Sequence, residues 1–237
     1  MADQKKLIQS WEDRAYFPPF STIPSEYEIS IGLYPEKHYC LLAEIVLTDT
    51  ILRPRLLCRD ITGFKFTVEF YCRNETDMPR ILEHFTPGNT IVLFYAPTHV
   101  FEDKSINIRL NSSRESMIIP LELSDAITMN KQAVEFVNRD GTSRKCHGCG
   151  EVKANLDKCG RCMLFHYCNQ ECQRKGWDEH KKFCKILKNE NVKKMLALDY
   201  ADISDGPIHF VSTSSGGGHQ PHGMENGHFC SAEIGEA

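Results

Sequence analysis

The sequence has no run of eighteen or more apolar residues, which excludes a membrane-spanning helix. Its first ten residues, MADQKKLIQS, hold no apolar stretch leading to a small-residue cleavage site, so no export signal is expected. A phosphate-binding glycine loop, a nucleophile elbow and a His-x-Asp pair are all missing, and the expectation that follows is a protein without enzymatic activity. Beyond Lys194 there is no Lys or Arg, only six acidic residues. What the chain has in abundance is cysteine, 11 in 237 residues. Without export those thiols stay reduced, so metal binding is expected rather than a disulfide framework. The 41% apolar and 25% charged fractions are those of a globular protein, and an intracellular location, nuclear or cytoplasmic, is expected.

The formal charge of −4 hides a partition. Residues 1–140 carry 15 basic against 20 acidic residues, residues 141–195 carry 13 against 6, and residues 196–237 carry none against 6. Seven of the cysteines lie between Cys146 and Cys184. Three pieces follow: an acidic folded domain, a small basic Cys/His module and an acidic tail. The tail is rich in Gly and Ser and too short for a core, so disorder is expected there. Its His209, His219, His222, His228 and Cys230 are too irregularly spaced for an organised metal site.

The first domain reads as three strands, a short helix and two strands. HYCLLAEIVLT and RPRLLCRDITG give the first two strands, the second ending in a D-x-T-G turn. FKFTVEFYC places Phe64, Phe66, Val68 and Phe70 on one face and Lys65, Thr67, Glu69 and Tyr71 on the other. DMPRILEHF reads as the helix, and TIVLFYA and SINIRLN as the last strands. That order is the order of an OB-fold barrel. Such barrels often bind single-stranded nucleic acid through aromatic platforms in a basic groove. Here the phenylalanines belong to the inward face, which leaves Tyr71 as the one platform and Arg53, Arg55 and Arg59 as the one basic cluster. The acidic balance of the domain opposes phosphate binding. Trp11, Tyr16, Phe17 and Phe20 belong to an extended arm expected to wrap the barrel. LSDAITMNKQAVEFVN reads as a linker helix capped by Ser124.

From Cys146 the spacing is C-x2-C, nine residues, C-x2-C, five residues, C-x3-C, seven residues, H-x3-C. Eight soft ligands in four pairs make two complete tetrahedral sets, as structural zinc requires, with no position left for a catalytic water. Residues four apart share a helix face, so Cys168 and Cys172, like His180 and Cys184, each present two ligands together. Spacing alone does not distinguish sequential from interleaved pairing. His147 and His166 are surplus to the eight and are expected at the surface.

The segment CHGCGEVKANLDKCGRCMLFHYCNQECQRKGWDEHKKFC resembles the MYND-type zinc finger at all eight ligands and through YCNQECQRKGWDEH. The resemblance covers residues 146–184 only. It implies an interleaved cross-brace, with one zinc on Cys146, Cys149, Cys168 and Cys172 and a second on Cys159, Cys162, His180 and Cys184. It also implies a protein-interaction module taking short proline-containing peptides, with Gln173 and Trp177 as peptide contacts. Trp177 has a second reading, as the apolar anchor of the zinc core. A segment this short cannot fold on apolar burial alone, so metal must supply most of its folding free energy.

The expected protein is α+β: an OB-like barrel of five strands with its N-terminal arm over residues 1–122, a linker helix over 123–141, a two-zinc MYND cross-brace finger with a C-terminal helix over 142–200, and a disordered acidic tail over 201–237. Its expected function is that of an adaptor binding proline-containing motifs of partner proteins, with transcriptional regulation as a setting. The alternative is a nucleic-acid-binding protein that reads with the barrel and recruits with the finger.

Overall fold

The computed structural model describes residues 7–33, 35–51, 53–72, 82–137 and 144–209. Seven strands form one sheet: β1 (Cys40–Asp49), β2 (Arg55–Asp60), β3 (Lys65–Phe70), β4 (Thr90–Phe94), β5 (Thr98–Val100), β6 (Ile106–Leu110) and β7 (Ser116–Ile119). Their order across the sheet is β5-β6-β3-β2-β1-β4-β7. The pairings are antiparallel except β3 with β6, which runs parallel, Val68 beside Ile108 and Phe70 beside Leu110. Only Tyr95–Pro97 separate β4 from β5. One short stretch of chain therefore joins β5, at one end of the strand order, to β4, next to the other end, and curls the sheet on itself.

The expected five strands are thus seven. β5 is three residues long and β7 four, too short to show a period in sequence. The helix expected over residues 77–85 falls largely outside the described residues, as do residues 210–237 of the tail. The D-x-T-G turn is present: the Asp60 carboxylate accepts from the backbone of Thr62 at 2.8 Å and of Phe64 at 3.1 Å, and Gly63 takes φ +87°.

The loose alternation of β1 has a physical cause. Leu41, Ala43 and Ile45 point into the hollow of the curled sheet with Leu56, Phe66, Val68, Phe70, Ile91, Leu93, Ile108 and Leu110. Cys40 and Leu42 point the other way, into a second core with Val92, Phe94, Met117 and Ile119. A strand covered on both faces needs no polar side. Phe64 departs from the expected inward face: it is 51% exposed and stacks on Phe20 at 5.3 Å, while Phe20 stacks on Phe66 at 4.6 Å.

The arm is not simply extended. It contains a short helix, α1 (Glu26–Ser30), started by a capping box between Ser25 and Glu28. Trp11 and Phe17 are buried against the second core, and the buried Asn130 side chain holds the arm by accepting from Trp11 N–H at 2.8 Å and donating to the Gln9 carbonyl. Asn130 lies on α2 (Leu123–Val137). Ser124 does not cap that helix, which begins one residue earlier with the Glu122 carbonyl accepting from Ala126 N–H.

Two further helices follow, α3 (Gln170–Leu187) and α4 (Glu190–Ala197). The single C-terminal helix expected from sequence is broken at Asn189, whose side chain caps α4 by accepting from Asn191 and Val192 N–H. The break turns Val192, Met195 and Leu196 back onto the second core, where Tyr200 lies 4.9 Å from Phe17 between ring centres. That core also contains Phe165, Tyr167, Phe183 and Leu187. The curled sheet and the Cys/His module therefore share apolar packing. Among the described residues no helix is long and apolar enough to cross a membrane.

Candidate metal centre

Each C-x2-C pair sits at the tip of a short hairpin. β8 (Arg144–Lys145) pairs with β9 (Val152–Lys153) around Cys146 and Cys149; β10 (Asp157–Lys158) pairs with β11 (His166–Tyr167) around Cys159 and Cys162. The two knuckles repeat one geometry. Gly150 N–H donates to the Cys146 carbonyl at 2.8 Å and Met163 N–H to the Cys159 carbonyl at 3.0 Å. The residue after each second cysteine is left-handed, Gly150 at φ +78° and Met163 at φ +61°. Glycine takes that conformation freely, whereas methionine pays a steric cost there.

The other four ligands come from α3 and its entry. Asn169 caps the helix by accepting from Cys172 N–H at 3.0 Å, which fixes Cys172 in the first turn. His180 and Cys184 share a face further along, as their spacing requires. Cys168 precedes the helix, so the expected helical pairing of Cys168 with Cys172 is instead a capping turn.

The eight ligand atoms gather into two groups, each with its members within 4.8 Å of one another: Cys146, Cys149, Cys168 and Cys172, and Cys159, Cys162, His180 and Cys184. The grouping interleaves the four pairs. The Cys149 and Cys168 sulfurs are 3.6 Å apart, those of Cys159 and Cys184 3.8 Å, and the Cys162 sulfur is 3.5 Å from His180 Nε2. Zinc bonds of about 2.3 Å to sulfur and about 2.0 Å to nitrogen give tetrahedral edges of about 3.8 and 3.6 Å. The separations also exceed the roughly 2 Å of a disulfide. These donor sets fit two structural zinc ions.

The electrostatics agree. Burial opposes a Cys146 thiolate, but N–H groups of Cys149, Cys168 and Gly148 directed at its sulfur outweigh it and bring the pKa to about 6. Burial and the neighbouring thiolates push Cys184 up to about 12. The four sulfurs of one set and the three of the other cannot all ionise without a cation among them, and a divalent ion in each removes the conflict. Burial lowers His180 to about 4, with His147 adding to the effect, so its imidazole is neutral, the form that binds metal.

The two sets differ in exposure. All four residues of the second are buried, whereas Cys149 of the first is exposed and Cys168 and Cys172 are half-buried. The second set lies within the core shared with the curled sheet. His147 and His166, expected at the surface, are each only 7% exposed. His147 lies 4.6 Å from both Phe136 and Phe165 between ring centres, joining α2 to the second knuckle. Its sequence neighbours are knuckle residues, and nothing in a linear reading shows that α2 covers them.

Gln173 and Trp177 line one shallow groove of about 330 Å³ together with Cys159, Gly160, Arg161, Gln170 and Arg174. Trp177 is half-buried and serves two purposes: its ring stands 5.8 Å from His180, and it also walls the groove. Arg161 and Arg174 were not anticipated as contacts; positions one turn from Gln170 and Trp177 on α3 were the available signal for Arg174.

A family model described as the MYND finger matches residues 146–184. The chain is 40% identical over 67 residues to SET domain-containing protein 14 of Caenorhabditis elegans, covering 28% of this chain and 15% of that protein. It is 36% identical over 74 residues to N-lysine methyltransferase SMYD2 of Gallus gallus, covering 30% and 17%. With histone-lysine N-methyltransferase SMYD3 of Homo sapiens it is 41% identical over 72 residues, again 30% and 17%. The chain thus spans less than a fifth of the length of these relatives, over the finger region. A solved structure, the Stn1-Ten1 complex of S. pombe, covers 42% of this chain at 16% identity with a TM-score of 0.31, a score that carries no argument. The relatives correct one expectation. Chains with this finger are named lysine methyltransferases, so the exclusion of enzymatic activity does not stand: a closed structural zinc set says nothing about chemistry elsewhere in a chain. Residues 146–184 are a MYND zinc finger, a protein-interaction domain built on two structural zinc ions.

Proposed function

We propose that the finger docks short proline-containing peptides of partner proteins, with the barrel as its rigid base. One zinc would be held by Cys146, Cys149, Cys168 and Cys172, the other by Cys159, Cys162, His180 and Cys184. The observation that carries the docking role is the convergence of Gln173 and Trp177 on one groove. An indole face suits a proline ring, which loses little entropy on binding, and the Gln173 amide can both donate to and accept from a peptide backbone. In this reading the sheet is an OB-type barrel, supported by the parallel β3–β6 pairing and by the short join between β4 and β5.

The nucleic-acid alternative is less well supported. Arg53 and Arg55 pair with Glu69 at 3.9 Å, and Arg59 pairs with Glu44 at 2.9 Å. The guanidinium groups of Arg53 and Arg109 lie 3.7 and 4.3 Å from the Tyr71 ring centre. The basic cluster is engaged by carboxylates and the Tyr71 ring by arginines. Transcriptional regulation remains a setting for the docking role.

The test is binding of fluorescent proline-containing dodecapeptides to the full chain. Trp177→Ala is expected to weaken binding by about tenfold or more, the scale of an aromatic anchor, while native mass spectrometry still counts two zinc ions. Equal binding by the variant, or no binding by either protein, contradicts the proposal.

A further inference from the structure

We infer that the finger groove selects peptides carrying acidic residues on either side of the proline. This rests on the docking role proposed above and adds a chemical class to the partner. The groove contains two cations and no carboxylate: Arg161 and Arg174 line it, together with Cys159, Gly160, Gln170, Gln173 and Trp177. Both arginines are exposed. Among the described residues neither belongs to an ion pair, although Lys181, Lys182 and Lys193, also on α3 and α4, all do. Both guanidinium groups therefore line the groove with no carboxylate partner to neutralise them.

Their placement gives the selectivity a direction. Arg161 comes from the second knuckle and hangs 5.7 Å from the Trp177 ring centre. Arg174 comes from α3, three residues before Trp177, one helical turn away. The cations therefore come from two elements that line the groove, the second knuckle and the helix that also carries the indole. A peptide seated by a proline on Trp177 lies within the groove that both guanidinium groups line, and a carboxylate flanking the proline can take a bidentate contact from arginine that glutamine or lysine cannot replace. Each contact is solvent-exposed, so the gain per arginine is modest and sensitive to salt.

The experiment uses the full chain and three dodecapeptides with a central Pro-Pro step, flanked on both sides by Glu, by Gln or by Lys. The Glu-flanked peptide is expected to bind about tenfold more tightly than the Gln-flanked one at low salt, the Lys-flanked one more weakly than both, and the gap to close near about 1 M salt. Arg161→Gln combined with Arg174→Gln should bring the Glu- and Gln-flanked peptides to equal affinity without loss of zinc. Equal binding of all three by the wild type overturns the acidic preference and leaves the docking role intact; no binding of any overturns both. If an oligothymidine strand displaces the Glu-flanked peptide as well as unlabelled peptide does, the groove is a general anion site and the inference fails.

Discussion

Cys159→Ser is expected to remove both zinc ions and unfold the finger, whereas Cys149→Ser should remove one ion and leave the rest folded. The difference follows from burial. Cys159 belongs to the set whose four residues are all buried, and Cys149 is an exposed member of the other. A structural zinc in a small module contributes on the order of 10 kcal/mol, comparable with the roughly 5–15 kcal/mol that holds a whole domain together. The loss would not stop at the finger. Phe165, Tyr167, Phe183 and Leu187 share one core with Val92, Phe94 and Ile119 of the sheet, so unfolding the finger exposes the outer face of β4 and β7. Native mass spectrometry should count no zinc on Cys159→Ser and one on Cys149→Ser. Thermal melting should show the sheet itself destabilised in the first variant. Two retained ions in Cys159→Ser, or equal damage from the two substitutions, would contradict the burial argument.

Gly148→Ala should be nearly as damaging, although Gly148 is not one of the eight ligands. A methyl group there would lie 2.1 Å from the Cys172 carbonyl oxygen and 2.7 Å from its carbon. Those are backbone atoms of the first helical turn, so no side chain can rotate away; the knuckle and α3 must separate. Separation pulls Cys146 and Cys149 from Cys168 and Cys172, the four ligands of one set. Overpacking usually costs about 1–3 kcal/mol, and here the cost of the ion is added to it. The control is Gly160→Ala, where a methyl group meets nothing within 4 Å. Zinc counts by native mass spectrometry should fall to one or none for Gly148→Ala and stay at two for Gly160→Ala. Two ions in both would show that the close approach of knuckle and helix is not required.

These predictions mark where sequence is informative and where it is not. The ligands were legible because metal coordination fixes residue type and local spacing together, and Cys146 through Cys184 satisfy both constraints. The long strands were legible through alternation, as in Phe66, Val68 and Phe70. β5 and β7 were hidden because three or four residues hold no period. Helix α1 was missed: its Ser25–Glu28 capping box opens only five residues of helix, in a segment read as an extended arm. The burial of His147 depends on α2 arriving over the knuckle, and the groove depends on the second knuckle meeting α3. Such facts come from tertiary contacts, to which spacing along the chain is blind.

The interleaving of the ligands is the claim on which the others rest, and both interleaved and sequential pairing give one all-sulfur site and one site with a histidine. Counting ions or ligand types cannot separate them. The decisive measurement is a cadmium–proton correlation spectrum of the intact chain loaded with NMR-active cadmium. The ion coupled to the His180 ring should also couple to the β-protons of Cys159, Cys162 and Cys184. Coupling of that same ion to Cys168 and Cys172 would contradict the account.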